Sequence, residues 1–210
     1  MCIYRAKKGK EPDSFKSIDY KNTRRPPSNV PYMVDNLWEW ARPEEYPNRR
    51  HAKFASPKPE QALRSADLPV DSLEDVFCLE FVGEPVIAQL PGVEDAKMHS
   101  DCDDLRSTLF DLLGGKYTWC TEDFVQKHPA GQLFQPCLTA EEVDYLLDTT
   151  EELHSRKEEI REEVDYWDDL ELIGTESIAD EEKGEILFQF KDPGEEDGYW
   201  RRAADSDDCC

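Results

Sequence analysis

The segment 139–167 is the feature that most constrains the fold. Thr139 and Glu142 stand at capping-box spacing, in which each side chain takes the other residue's backbone N–H at a helix start. Val143, Leu146, Leu147, Leu153, Ile160, Val164 and Trp167 then recur at steps of three and four, with polar interruptions at Thr150 and Lys157. The opposite face is acidic, so the segment reads as an amphipathic helix, the strongest in the chain. A second helix is expected where Ser100 and Asp103 form a capping pair ahead of Leu105, Leu109, Leu112 and Leu113, with Gly114-Gly115 as its stop.

Short strand-like runs lie on both sides of this helical block. Residues 2–6 read as a first strand, with Tyr4 and Arg5 on opposite faces. Residues 51–56 read as a middle strand, 76–82 and 84–90 as a hairpin or consecutive strands about Gly83, and 184–190 as the last strand. Residues 35–42 are expected to form a short helix capped by Asp35 and stopped before Pro43. Trp38 and Trp40 cannot share one face of it, so one is assigned to the core and the other to a lid or stacking surface. Pro59 suits the first turn of a helix running to about Ala66. Residues 7–30 read as a long polar loop, and 116–138 as an irregular connection with a short helix after Thr121. Strands surrounding two main helices make the fold class α+β. The expected organisation is one domain over residues 1–191, with a helical insertion over about 100–168 and an acidic, mobile tail over 192–210.

Charge divides the chain unevenly. The first 60 residues hold 13 Lys+Arg against 8 Asp+Glu, a net of +5, whereas the rest carries -28 of the overall -23. This excludes nucleic-acid binding through a general basic surface. It favours solubility or a basic protein partner, and places any anionic ligand near the first 60 residues. The seven cysteines lack metal-ligand spacing and read as reduced thiols. The start lacks the apolar run of a signal peptide, and no stretch is long enough to span a membrane. These features imply a cytoplasmic protein. Four scattered histidines indicate no metal site.

The basic region leads into Phe54-Ala55-Ser56-Pro57-Lys58-Pro59-Glu60-Gln61-Ala62-Leu63, a strand that delivers a serine to a proline turn and a helix. Arg5 stands on the first strand and Glu185 at the start of the last. An arginine, a serine and a carboxylate from three strands suit cleavage of a glycosidic bond to a cationic leaving group. Cations hold phosphates there, and a carboxylate stabilises the oxocarbenium-like sugar.

In this order and context the chain resembles the ADP-ribosyltransferase superfamily, and the segment after the serine is also similar to RES-type NAD-consuming toxins. The resemblance covers the first 66 residues and the strand at 182–190. It implies a split, mostly antiparallel β-sheet core with flanking helices and an NAD cleft, NAD as substrate, and transfer of ADP-ribose to a macromolecular (protein) target or hydrolysis of NAD. It implies catalytic roles for Glu185 and for Ser56, which would position it, and a phosphate or ribose contact by Arg5. Tyr4, Arg50, His51 and Asn36 are further candidate NAD contacts, with Arg49 beside the pyrophosphate and Trp38 near a ring. A toxin or effector acting in a host cytoplasm also fits the family. Lys183 stands where many arginine-modifying members carry Glu or Gln, and Pro57 replaces a hydroxyl residue of the usual Ser-Thr-Ser run. The alternative reading is a non-enzymatic acidic protein that mimics nucleic acid on a basic partner.

Overall fold

A computed structural model of the chain describes residues 2–9, 14–15, 26–113, 128–175, 177–190 and 198–202. The Gly114-Gly115 stop, the short helix after Thr121, Arg24-Arg25 and residues 192–197 and 203–210 of the expected tail lie outside the described residues. The architecture is α+β. The chain divides into two compact units, one built from residues 1–23, 44–96 and 169–210, the other from 24–43 and 97–168.

The first unit holds the strands. They are β1 (Tyr4–Ala6), β2 (Ser14–Phe15), β3 (Lys53–Ala55), β4 (Val76–Phe81), β5 (Pro85–Pro91), β6 (Glu171–Ile173), β7 (Gly184–Phe190) and β8 (Gly198–Arg202). They form two four-stranded antiparallel sheets, in the orders β1-β4-β8-β2 and β3-β7-β5-β6. The edges β1 and β3 meet at a bridge between Tyr4 and Ser56, each N–H donating to the other's carbonyl at 2.8 Å. Ile3, Ala55, Leu79, Ile87, Ile186, Phe188 and Phe190 make one apolar cluster drawn from both sheets. Helix α1 (Tyr32–Ala41) belongs to the second unit; α2 (Pro59–Ser65) belongs to this one, starts with Pro59 in its first turn, and packs Ala62 and Leu63 against Tyr4, Ala6, Val76 and Cys78.

Several expectations change here. Strands β4 and β5 do not pair as a hairpin; the chain passes from one sheet to the other at residues 82–84. Residues 198–202, expected in a mobile tail, form a strand paired with β4 over five residues, where its backbone donors and acceptors are satisfied by the ladder. Ser14–Phe15, within the expected loop, pairs with that same strand. Cys2 is disulfide-bonded, so the all-reduced reading fails at that residue, while Cys78, Cys102 and Cys137 are free and buried. Among the described residues, no helix is long and apolar enough to cross a membrane.

The second unit is helical: α1 (Tyr32–Ala41), α3 (Asp101–Leu112), α4 (Ala140–Thr149), α5 (Glu151–His154), α6 (Lys157–Glu162) and α7 (Tyr166–Asp169). The capping box forms as read: Glu142 N–H donates to Thr139 Oγ1 at 3.2 Å and Thr139 N–H to Glu142 Oε2 at 2.9 Å. The single long helix does not form. Buried Thr150 turns extended, at φ -89° and ψ 114°, and the segment continues as short helices that still bury Leu153, Ile160 and Trp167. Helix α1 begins three residues early because Pro31 supplies the extended entry residue and Asp35 N–H donates to its carbonyl at 3.0 Å; Asp35 lies inside the helix and is not its cap. Ser100 is helical in backbone and makes no cap bond; the Asp101 N–H is taken by His99 Nδ1 at 3.2 Å.

Both tryptophans of α1 are buried, which corrects the assignment of one to a lid. The indole N–H groups decide the outcome, since each finds a carboxylate. Trp38 Nε1 donates to Asp101 Oδ2 at 2.7 Å, and Trp40 Nε1 to Asp144 Oδ1 at 2.9 Å. Trp38 stacks on Tyr166 at 4.1 Å, and the Tyr166 N–H also donates to Asp101 Oδ2, at 3.2 Å. Trp40 lies under the Arg161 guanidinium at 4.2 Å. Replacing Asp101 with Ala is expected to cost about 1–3 kcal/mol for each donor left unsatisfied, read from chemical denaturation; a loss below about 1 kcal/mol would contradict this account of the core.

Candidate functional site

Of the sequence candidates, Glu185 stands at the start of β7, which a network of polar groups holds in place. Gln89 fastens Asp180 by both ends of its amide: Nε2 donates to the Asp180 carbonyl at 2.7 Å, and Asp180 N–H donates to Gln89 Oε1 at 3.1 Å. The Asp180 carboxylate accepts from the backbone N–H groups of Glu182 at 2.8 Å, Lys183 at 3.1 Å and Gly92 at 3.2 Å. These bonds, that from Glu182 first, hold the Asp180 carboxyl below the usual carboxylate range. Gly92 has φ 72°, a conformation that favours glycine. Gly184 lies so close to β5 that a Cβ would stand 2.5 Å from Gln89 Nε2 and 3.0 Å from the Leu90 carbonyl. From α2, the buried Gln61 donates through Nε2 to the Gly184 carbonyl at 2.7 Å and to the Glu94 carbonyl at 3.2 Å.

Glu185 follows Gly184 and is 8% exposed. Its Oε1 accepts from Arg49 Nη1 at 2.7 Å, and its Oε2 from the Ala96 N–H at 3.3 Å. Arg49 comes from the turn 48–51, which is fastened to the same strand. Asn48 N–H donates to Gln189 Oε1 at 2.8 Å, and Gln189 lies four residues beyond Glu185 on the same face of β7. Within the turn, Arg50 N–H donates to Asn48 Oδ1 at 2.9 Å, and His51 N–H to the Asn48 carbonyl at 3.0 Å. The Arg49 guanidinium also lies over the Phe54 ring at 5.2 Å, and Phe54 is paired with Leu187 between those two polar positions.

Ser56 is buried one residue beyond the β3–β7 ladder. The register that pairs Ala55 with Ile186, carried one step further, sets Ser56 opposite Glu185. Ser56 is also bridged through its backbone to Tyr4, whose side chain packs against α2. The strands bearing Arg5, Ser56 and Glu185 are therefore consecutive neighbours. Arg5 itself is exposed, between the buried Tyr4 and Ala6, so alternation points it away from the face shared by Tyr4, Ser56 and Glu185. The cation that Glu185 meets is Arg49. Arg50 and His51 lie in the same turn as Arg49, with Arg50 buried and His51 half-buried.

Asn36 does not belong to this group, which corrects its reading as an NAD contact. It lies in the second unit, fully buried, where Nδ2 donates to the carbonyls of Leu133 at 2.8 Å and Gln135 at 2.7 Å, and Oδ1 accepts from the Leu138 N–H at 3.0 Å. Those bonds use both amide protons and leave it a fastener for residues 133–138. Sequence reasoning did not anticipate Gln61, Gln89, Asp180 or Gln189, and it assigned Arg49 to a phosphate. The available signal was weak: a Gln or an Asp beside a strand end, and an arginine pair upstream of a strand. Among the described residues, no group of three or more His, Cys, Asp and Glu side chains could hold a metal ion. Comparison with protein-family models, with curated proteins and with solved structures gives no match.

The Arg49–Glu185 pair is removed from water, with side chains 6% and 9% exposed. Substituting Arg49 with Met strands a buried carboxylate and is expected to cost about 3–5 kcal/mol, whereas the double change Arg49→Met and Glu185→Leu recovers most of that loss in denaturant titrations. Asp180 titrates in the opposite sense to a stabilising cation. Its carboxyl lies lower in the folded than in the unfolded chain, so its contribution is present above pH of about 4 and disappears as pH falls through the folded value. Asp180→Asn is expected to lower the melting temperature at neutral pH and to flatten its decline in acid; an unchanged acid limb would remove Asp180 from that role.

Proposed function

We propose that the protein consumes NAD, releasing nicotinamide and transferring ADP-ribose to a macromolecular target or to water. The observation that supports this most is the order of strands at the joint between the two sheets. The strands of Arg5, Ser56 and Glu185 follow one another, with Ser56 in register opposite Glu185.

The chemistry follows from a carboxylate at that position. In NAD the bond from ribose C1′ to the pyridinium nitrogen breaks with its electron pair moving to nitrogen, so nicotinamide departs neutral and positive charge develops on the ribose. Glu185, held by its ion pair with Arg49, stabilises that charge and accepts a hydrogen bond from a ribose hydroxyl. Ser56 adds a hydroxyl beside it. The acceptor then bonds to C1′ and gives up its proton to water. His51, half-buried in the turn 48–51, and the hydroxyl of Tyr4 are the polar groups near this joint that suit the dinucleotide phosphates and ribose.

The test is nicotinamide release from NAD, with and without a cell lysate as the source of acceptor. Release by the wild-type chain is expected to fall by about 100-fold or more in Glu185→Gln, with NAD binding retained. Absence of both NAD binding and nicotinamide release from the wild-type chain would overturn the proposal.

A further inference from the structure

We infer that Arg49 is a positioning residue for the Glu185 carboxylate and not a contact for the substrate's phosphates. This rests on the NAD-consuming reading above and deepens it. A guanidinium that captures a diffusing pyrophosphate presents its donors to solvent. The Arg49 side chain is 6% exposed, and its Nη1 is directed onto Glu185 Oε1 at 2.7 Å.

The support behind Arg49 has the form of a positioning device. The turn carrying it is bonded through Asn48 N–H to Gln189, on the same strand and face as Glu185. The ring of Phe54 lies beneath the guanidinium at 5.2 Å. Cation and carboxylate are thereby referenced to one strand, so the pair cannot drift apart without breaking the turn. The Ala96 N–H at 3.3 Å from the other oxygen gives the carboxylate a second donor, and two donors on two oxygens fix its plane. Each oxygen keeps acceptor capacity for a ribose hydroxyl. A residue that acts through the orientation of the reacting carboxylate changes the rate of the bound complex, whereas a phosphate contact changes substrate binding.

The experiment is steady-state nicotinamide release from NAD by the full chain, for wild type, Arg49→Gln and Arg49→Lys, each confirmed folded by its melting curve. Arg49→Gln is expected to lower kcat by about 10- to 100-fold with KM within about threefold of wild type, and Arg49→Lys to lower it less, by about 3- to 10-fold. If Arg49→Gln does not fold, Arg49→Lys carries the comparison, with kcat expected about 3- to 10-fold below wild type and KM unchanged. A rise in KM at constant kcat would make Arg49 a substrate contact and overturn the inference, as would wild-type values for both constants in a folded variant. An active wild type with either of those patterns removes this inference alone; a wild type that releases no nicotinamide removes the NAD-consuming reading and the inference with it.

Discussion

Two backbone hydrogen bonds between Tyr4 and Ser56 join the edge of one sheet to the edge of the other. An exposed strand edge carries unsatisfied donors and acceptors, and here each sheet's edge satisfies part of the other's. The joint has two further consequences in the strand-bearing unit. It lets both sheets contribute to one apolar cluster, from Ile3 and Leu79 on one side to Ile186 and Phe188 on the other. It also makes β1, β3 and β7 successive neighbours, which is what gives Ser56 and Glu185 a common setting.

Glu185 is buried because β7 is an interior strand, flanked by β3 and β5, with the turn 48–51 fastened across one of its faces. A carboxylate in that position is costly unless it is paired and hydrogen-bonded. Arg49 and the Ala96 N–H meet that requirement from two sites distant in the chain. Replacement of both members by apolar side chains is expected to keep most of the stability that loss of either one alone removes.

The parts of the fold legible in the sequence were those set by neighbours a few residues apart. The Thr139–Glu142 capping box, Pro59 in the first turn of its helix and the full extent of Gly184–Phe190 were read correctly, because each depends on local backbone chemistry or local apolar pattern. The division of residues 139–167 into short helices was not foreseen, although Thr150 and Lys157 marked the polar interruptions in its stripe. Strand β8 was missed because its neighbouring sequence is acidic, and its pairing with β4 is a long-range event. The two tryptophans of α1 were divided between core and surface on helical geometry alone. Both entered the core because Asp101 and Asp144, far along the chain, accept their indole N–H groups.

By itself the sequence determined the fold class, the candidate carboxylate at 185 and the serine at 56. Alternation, capping and turn chemistry act over a few residues, and those positions are marked by such signals. Only the tertiary structure decided which cation meets Glu185. Arg5, Arg49 and Arg50 were indistinguishable as charges in the sequence. Strand alternation turned Arg5 outward, and the bond from Asn48 to Gln189 carried Arg49 to a partner 136 residues away. A pairing at that separation depends on strand order and register, which no local pattern encodes.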